Sequence, residues 1–350
     1  MTKTATGNFF EDFAIGQDLV HATPRTVTEG DVALYTALYG MRFAVNSADT
    51  FAMDLGLQAA PLDDFLTFHF VFGKTVPDIS LNAVANLGYA DGRFLRPVYP
   101  GDTLNARSTV IGLRELSNGK AGIVYVRSVG ENQAGEVVLD YVRWVMVRKR
   151  DPESPAPETV IPDLPEAVAA ETLVVPEGLD FTGFDTVQSG STDMWNDYQV
   201  GEKIDHVDGI TMEEAEHMMA TRLYQNTARV HFNQFAQAHS QSGRRLIYGG
   251  HIISLARAIS FNGLANASFV AALNGGTHVA PSFGGDTIFA WSEVLDKAEI
   301  PGRSDVGALR IHTVGLKNQP ATEFPHKDED GKDHPGLVLE IDYWVLMPRR

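Results

Sequence analysis

Apolar and polar positions along this chain follow two periods, and the same succession of periods occurs twice. From about Asp31, the apolar positions Val32, Leu34, Tyr35 and Leu38 fall on one side of a helix, the i, i+3, i+4 spacing of an element that covers a core with one face. Thr28 or Asp31 stands where a helix cap is needed. In the second half, Thr211-Met212-Glu213-Glu214 opens the equivalent helix, with Thr211 and Glu214 at capping-box spacing. A second, mostly apolar helix follows in each half, over about 64–75 and about 251–264. The remainder is strand-like: 109–113, 122–129 and 137–148 carry β-branched and aromatic residues between Gly and Asn turns. No strand alternates regularly with a helix, which argues against a parallel βαβ sheet. The pattern predicts an α+β class, with a curved antiparallel sheet wrapped around a central helix in each half.

The recurrence extends to individual residues. Phe9-Phe10-Glu11-Asp12-Phe13-Ala14-Ile15-Gly16 returns as Met194-Trp195-Asn196-Asp197-Tyr198-Gln199-Val200-Gly201, 185 positions later. The same shift lays Leu38-Tyr39-Gly40-Met41-Arg42-Phe43-Ala44-Val45-Asn46 on Leu223-Tyr224-Gln225-Asn226-Thr227-Ala228-Arg229-Val230-His231. Pro97 with Gly101-Asp102-Thr103 meets Pro281 with Gly285-Asp286-Thr287, and Trp144 meets Trp344. Landmarks kept in order mark a duplicated domain. The expected organisation is one repeat over 9–150, a linker over 151–193 and a second repeat over 194–350. The stretch 151–177 holds six prolines, a density that excludes regular structure and favours an extended path across the surface.

Composition narrows the chemistry. With 44% hydrophobic and 21% charged residues, the chain is ordinary for a globular protein. It has no cysteine, so disulfides, thiolate metal sites and a cysteine nucleophile are excluded, and a reducing cytoplasm fits. No basic-apolar leader and no run of about 18 apolar residues is present, so neither export nor a membrane span is expected. A net charge of −17 argues against nucleic acid, though a small polyanion needs only a few local cations. Dinucleotide fingerprints, phosphate-binding loops and serine-nucleophile elbows are absent. No cofactor is expected.

The copies differ where chemistry would sit. Met41 and Asn46 in the first copy face Asn226 and His231 in the second, so only the second copy has a side chain there able to move a proton near neutral pH. The stretch Tyr224 to His231, the turn Gly249-Gly250-His251-Ile252 and the Pro281…Gly285-Asp286-Thr287 segment resemble the MaoC-like (R)-specific enoyl-CoA hydratase family, and the resemblance covers both copies. It implies a tandem double hotdog fold, a coenzyme A thioester substrate carried without other cofactors, and reversible hydration of an enoyl group. The stretches Phe72-Gly73-Lys74-Thr75-Val76-Pro77-Asp78-Ile79-Ser80-Leu81-Asn82 and Arg244-Arg245-Leu246 to Arg257 imply, within that family, a short branched dicarboxylic acyl-CoA and a place in acetate or glyoxylate assimilation. The chain departs from the family pattern at Asn226, where the family has Asp, and at Ala228-Arg229, where it has Asn-Pro.

Hydration of an enoyl thioester needs a base for water, an acid for C2 and donors for the thioester oxygen. His231 is the candidate base and proton shuttle. Asn226 can orient water but cannot accept its proton. The turn Gly249, Gly250, His251, Ile252 at a helix N-terminus is the expected oxyanion hole. In the first copy the matching turn carries Asp63 and Asp64, which would repel an enolate and serve better as helix caps. Phe65, Phe68, Phe70 and Phe72 are expected as core, and as filling for a tunnel that would otherwise take a long acyl chain. Arg42, Arg93 and Arg229 are candidates for a substrate carboxylate, and Arg244 and Arg245 for coenzyme A phosphates. The loop from His326 to His334 reads as an exposed charged insertion, with no metal expected. The rival readings are a hotdog thioesterase and a non-catalytic acyl-CoA-binding module. Exposed sheet edges point to a homo-oligomer, most simply a homodimer.

Overall fold

A computed structural model describes residues 3–350. The apolar run Asp64–Thr75 is a helix buried along its whole length, and Asp63 caps it by accepting the Phe65 N–H at 3.0 Å. Its counterpart spans Gly249–Ile259, also buried except for Gly249, with Tyr248 at the N-cap. These two central helices meet where His69 Nε2 lies 3.0 Å from Ser254 Oγ. Residues 69 and 254 correspond under the 185-residue shift, so a pseudo-twofold axis passes between them.

Ten strands wrap this pair in one antiparallel sheet. The first half supplies β1 (Asp18–Thr26), β2 (Ala83–Phe94), β3 (Thr103–Glu115), β4 (Ala121–Glu131) and β5 (Val137–Arg148). The second supplies β6 (Lys203–Thr211), β7 (Phe269–His278), β8 (Thr287–Glu299), β9 (Val306–Lys317) and β10 (Leu337–Pro348). The order β1-β3-β4-β5-β2-β7-β10-β9-β8-β6 has the same sequence read inward from either end. The halves join through β2 and β7, with Tyr89 opposite Gly276 and Arg93 opposite Ala272. At that seam Gly92 has no room for a side chain, since a Cβ would lie 2.8 Å from that of Leu273.

The segment after β5 is mostly extended, but it holds a 3-10 turn at Ala170–Thr172, where the proline density predicts no regular structure and the prolines leave room for one turn between them, and a short helix at Thr186–Ser189. Val160 bridges to Leu113, and Val168 accepts the Trp344 indole N–H at 3.0 Å. Each central helix is preceded by a surface helix, Glu29–Tyr39 or Glu214–Leu223. Thr28 and Asp31 form the capping box of the first. The box expected from Thr211 and Glu214 does not form: Thr211 ends β6 and pairs its hydroxyl with that of Thr287 at 2.8 Å, while Glu213 takes the N-cap without a side-chain bond. The sheet ladder holds Thr211 two residues short of the helix. No helix among the described residues is long and apolar enough to cross a membrane.

Candidate active site

The loop after helix Glu214–Leu223 sets the first part of the site. Gln225 adopts the left-handed region at φ 53°, turning the chain so that Asn226 Oδ1 accepts the Ala228 N–H at 3.0 Å in the turn that leads into the short helix Arg229–Phe232. That use of its carbonyl leaves the Asn226 amide nitrogen, a donor, to face a ligand. The first central helix presses against the loop because residue 73 is glycine: a Cβ there would stand 1.8 Å from the Tyr224 carbonyl oxygen.

His231 sits on the short helix and donates its Nδ1–H to the Leu246 carbonyl at 2.9 Å. This fixes the tautomer, with the lone pair on Nε2. The residue keeps partial exposure, yet enough protein surrounds the ring that desolvation pushes its pKa down to about 4, against a smaller upward effect of the Leu246 bond. His231 is therefore neutral at pH 7, the state a base requires.

The second part is the head of the Gly249–Ile259 helix. The first N–H groups of a helix lack intrahelical acceptors and carry partial positive charge. Both glycines are demanded by packing: a Cβ at Gly249 would lie 2.3 Å from His278 Cε1, and one at Gly250 2.3 Å from Tyr248 Cε1 and 2.6 Å from His69 Cε1. The head is anchored by His217, whose Nε2 accepts the Tyr248 N–H at 2.8 Å. His217 thus carries its proton on Nδ1, which has no partner among the described residues. Tyr224 donates to the Tyr39 hydroxyl at 2.7 Å, and Tyr39 in turn meets His251 Nδ1 at 2.8 Å. With Tyr39 donating, His251 holds its proton on Nε2, again without a protein partner. The His217 ring is 6.0 Å from that of His231 and 5.6 Å from that of His251. Burial lowers the pKa of His217 to about 2 and of His251 to about 3. The site thus combines one free lone pair with several N–H donors, the equipment for moving a proton next to a developing anion. Ile252, one residue on, belongs to the hydrophobic core.

The matching place in the first half is built differently. Asn46, the counterpart of His231, donates its amide to the Pro61 and Leu62 carbonyls at 3.2 Å each. Pro61 corresponds to Leu246, so Asn46 keeps the anchoring bond of His231 and lacks the base. Met41, in the place of Asn226, is buried. At the helix head, Asp63 lies 3.8 Å from Arg257 and Asp64 accepts the Val270 N–H at 2.7 Å.

The remaining candidates disperse. Arg42 covers Phe261 beyond the far end of the second central helix, its guanidinium 4.4 Å from the ring centre. Arg93 is held by Asp91 and Thr172 at 3.0 Å each, next to the Arg127–Asp140 pair. The structure brings neither to the His231 loop, because each is held by partners elsewhere. Arg229 does face a cleft of about 570 Å³ that also touches Pro77, Asp78, Leu81, Thr227 and Phe232. Arg244 lies over Phe283 and donates to the Gly284 carbonyl at 2.6 Å, and Arg245 pairs with Glu214. Where the insertion after β9 folds back on the sheet, His312 of β9, His326 of the insertion and Glu340 of β10 gather their ligand atoms within 4.8 Å, but Lys327 also stands 3.9 Å from Glu340. All four phenylalanines are core, and only Phe68 and Phe72 face Tyr89.

Sequence reasoning missed His217, His278 and Arg143. His217 replaces Val32 under the 185-residue shift, the same gain of a titratable group that singled out His231, so that signal was present. Arg143 gave none, since its setting is made by residues far away in the chain.

The chain is similar to known proteins along nearly its whole length. A family model described as mesaconyl-CoA hydratase matches residues 1–324. The chain is 64% identical to a β-methylmalyl-CoA dehydratase of Chloroflexus aurantiacus over 99% of each chain, and 61% identical to a mesaconyl-CoA hydratase of Cereibacter sphaeroides over 99% of this chain and all of that one. A solved MaoC-domain dehydratase from Chloroflexus aurantiacus superposes with a TM-score of 0.98 at 63% identity, covering both chains entirely. A Mycobacterium tuberculosis protein described as a double hotdog, 23% identical, superposes with a TM-score of 0.77 over 98% of this chain and 99% of that one.

Proposed function

The chain belongs to the mesaconyl-CoA hydratase family, and from that premise we propose that it is a hydro-lyase adding water reversibly to mesaconyl-CoA to give β-methylmalyl-CoA, with His231 of the second half as its proton-transferring group. The observation that carries the assignment of roles is the free Nε2 of a neutral His231 beside the head of the Gly249–Ile259 helix. The double hotdog fold of its structural neighbours is consistent with it.

The substrate bears a methyl group on C2 and its free carboxylate on C3. His231 Nε2 takes a proton from water as the oxygen bonds to C3, and the C2–C3 double bond shifts its electrons toward the thioester carbonyl. The first-turn N–H groups of Gly249 and Gly250 hold the oxygen as it gains negative charge. The proton on His231 then passes to C2, restoring the carbonyl and the neutral imidazole. The Asn226 amide nitrogen positions the water without taking its proton. No step calls for a cofactor beyond the coenzyme A of the substrate. Dehydration follows the same path in reverse.

Following enoyl-thioester absorbance and free thiol together tests the reading. Loss of absorbance with mesaconyl-CoA and no thiol release is expected. Thiol release would make the protein a thioesterase, and no change in either a binding module. We extend the proposal to a homodimer, since among the described residues β1 and β6 end the sheet with one edge each unpaired, and to the cytoplasm, whose reducing environment suits a chain without cysteine. Light scattering on the purified chain gives the mass that decides the oligomeric state.

A further inference from the structure

Two arginines are fully buried in this fold, at mirrored places, and only one has an acid. Arg257 of the second central helix lies 3.7 Å over Phe43 with Asp63 at 3.8 Å. Under the 185-residue shift its counterpart is Phe72. Arg143 of β5 packs 4.2 Å from the Phe72 ring centre, and the strand position matching Arg143 in β10 is Tyr343. Arg143 is 0% exposed. Its Nη2 donates to Thr75 Oγ1 at 2.7 Å, and its two terminal nitrogens reach Ser80 Oγ at 3.4 and 3.5 Å. Its Nε has no partner, and no carboxylate pairs with it among the described residues. A buried cation without an anion is costly.

The surroundings of Arg143 repeat the deficiency. Tyr141 shares its face of β5 and has an unpartnered buried hydroxyl. On the neighbouring β2, Tyr89 stands opposite Arg143 and Asn86 opposite Val145. Both side-chain polar atoms of Asn86 are buried without partners. Arg143 and Tyr141 keep donor capacity that the protein leaves unused, and Asn86 adds an amide with neither of its polar atoms paired.

Two chains of contacts link these groups to the candidate site. The Tyr248 ring is 5.4 Å from His231 and 5.7 Å from Phe72, which touches Arg143. Tyr89 reaches His278 Nε2 at 3.2 Å, and His278 lies against Gly249. Ser80, a partner of Arg143, belongs to the segment whose Pro77 and Asp78 line the cleft. The facing wall of that cleft, Arg229 and Phe232, flanks His231.

We propose that Arg143, with Tyr141 and Asn86, forms the subsite that receives the free carboxylate of the acyl group. This rests on the hydratase reading, in which that carboxylate is attached to the carbon that water attacks. A charge there selects a short dicarboxylic acyl group and rejects a hydrocarbon chain of equal length.

The test is calorimetric binding of two unreactive saturated thioesters, methylsuccinyl-CoA and 2-methylbutyryl-CoA, which differ by a carboxylate in place of a methyl group. The wild-type chain is expected to prefer the first by about 10²–10³-fold, and Arg143→Met to erase the preference while Arg143→Lys keeps part of it. An unchanged preference in a folded Arg143→Met, or no preference in the wild type, overturns the subsite. If Arg143→Met does not fold, Tyr141→Phe decides. One lost hydrogen bond should cut the preference about fivefold, and an unaltered value overturns the subsite. Wild-type hydration of mesaconyl-CoA, assayed separately, tells a failed subsite from a failed function.

Discussion

The heads of the two central helices occupy equivalent positions and have opposite character. One reads Tyr248-Gly249-Gly250, with no side chain on two successive residues and imidazole N–H groups around it. The other reads Asp63-Asp64-Phe65, with both carboxylates committed, to a helix cap and Arg257 and to the Val270 N–H. Burial raises the pKa of both acids. The first arrangement invites negative charge, and the second has filled its own space with acid side chains. The difference teaches what duplication permits. One copy of a site can turn its polar groups on each other and gain packing, provided that the other keeps groups without protein partners for a substrate.

The sharpest way to break this comparison is to remove the one base it assigns. His231→Ala is expected to lower kcat by about 10²–10⁴-fold while leaving coenzyme A thioester binding near normal. Near-normal turnover in a folded variant would end the assignment of chemistry to the second half.

Next in size is the helix head itself. Gly250→Ala places a Cβ against Tyr248 and His69 and should displace the N–H groups from the thioester oxygen. Loss of one such donor costs about 10²–10³ in kcat, and a drop of that order is expected. Phe65, its counterpart, is core, so Phe65→Leu should alter the melting temperature and leave kcat within about twofold. A kcat loss from Phe65→Leu equal to that from Gly250→Ala would show that the two heads are not functionally distinct.

The asymmetry was legible in the sequence only where it changed a residue's chemistry at an aligned position. His231 against Asn46 stood out for that reason, and the run 64–75 announced its helix because it is mostly apolar with an acid at its start. His217 gave the same kind of signal but sits in a polar surface helix, where a lone histidine looks solvated. The capping role assigned to Thr211 failed because the strand before it continues further than the local pattern shows. Arg143 was illegible on principle: a strand arginine is normally at the surface, and its burial comes from Thr75, Ser80 and Phe72, which only the folded topology brings near.

A smaller effect comes from pH, and it also separates the halves. In the second half, burial lowers the pKa of His206, His231 and His278 to about 4, of His251 to about 3 and of His217 to about 2, while in the first half it lowers that of His69 to about 3. A histidine whose folded pKa is depressed contributes stability that is complete above its unfolded value near 6.5 and is lost as pH falls through the folded value. Between pH 6.5 and about 4 the unfolded chain therefore binds protons that the folded chain refuses, and the urea midpoint should fall steadily over that window. His217→Gln should make the fall shallower by about one proton. A flat midpoint from pH 7 to 4.5 would mean that these rings are not neutral in the folded state. The acid limb of kcat/KM should likewise lie below pH 6.5, since His231 stays unprotonated until then.

The smallest effect bears most directly on what the first half has become. Asn46 retains the bonds to the Pro61 and Leu62 carbonyls, the structural share of what His231 does with Leu246. If that half is now a scaffold, Asn46→Ala should be felt in stability alone. Each hydrogen bond contributes about 0.5–1.5 kcal/mol net, and the two share one amide with carbonyls that the removed side chain leaves behind. A loss of about 1–2 kcal/mol in unfolding free energy is expected, with kcat changed less than twofold. The reverse substitution, Asn46→His, extends the logic. It restores an imidazole at the matching position, yet the adjacent head still presents Asp63 and Asp64 in place of free donors. A base without an oxyanion site has no transition state to serve, so Asn46→His in a His231→Ala background should recover no turnover. Recovered activity there would show that the acids at the first head can be displaced, and that the two halves differ by a single residue and not by the whole construction of their sites.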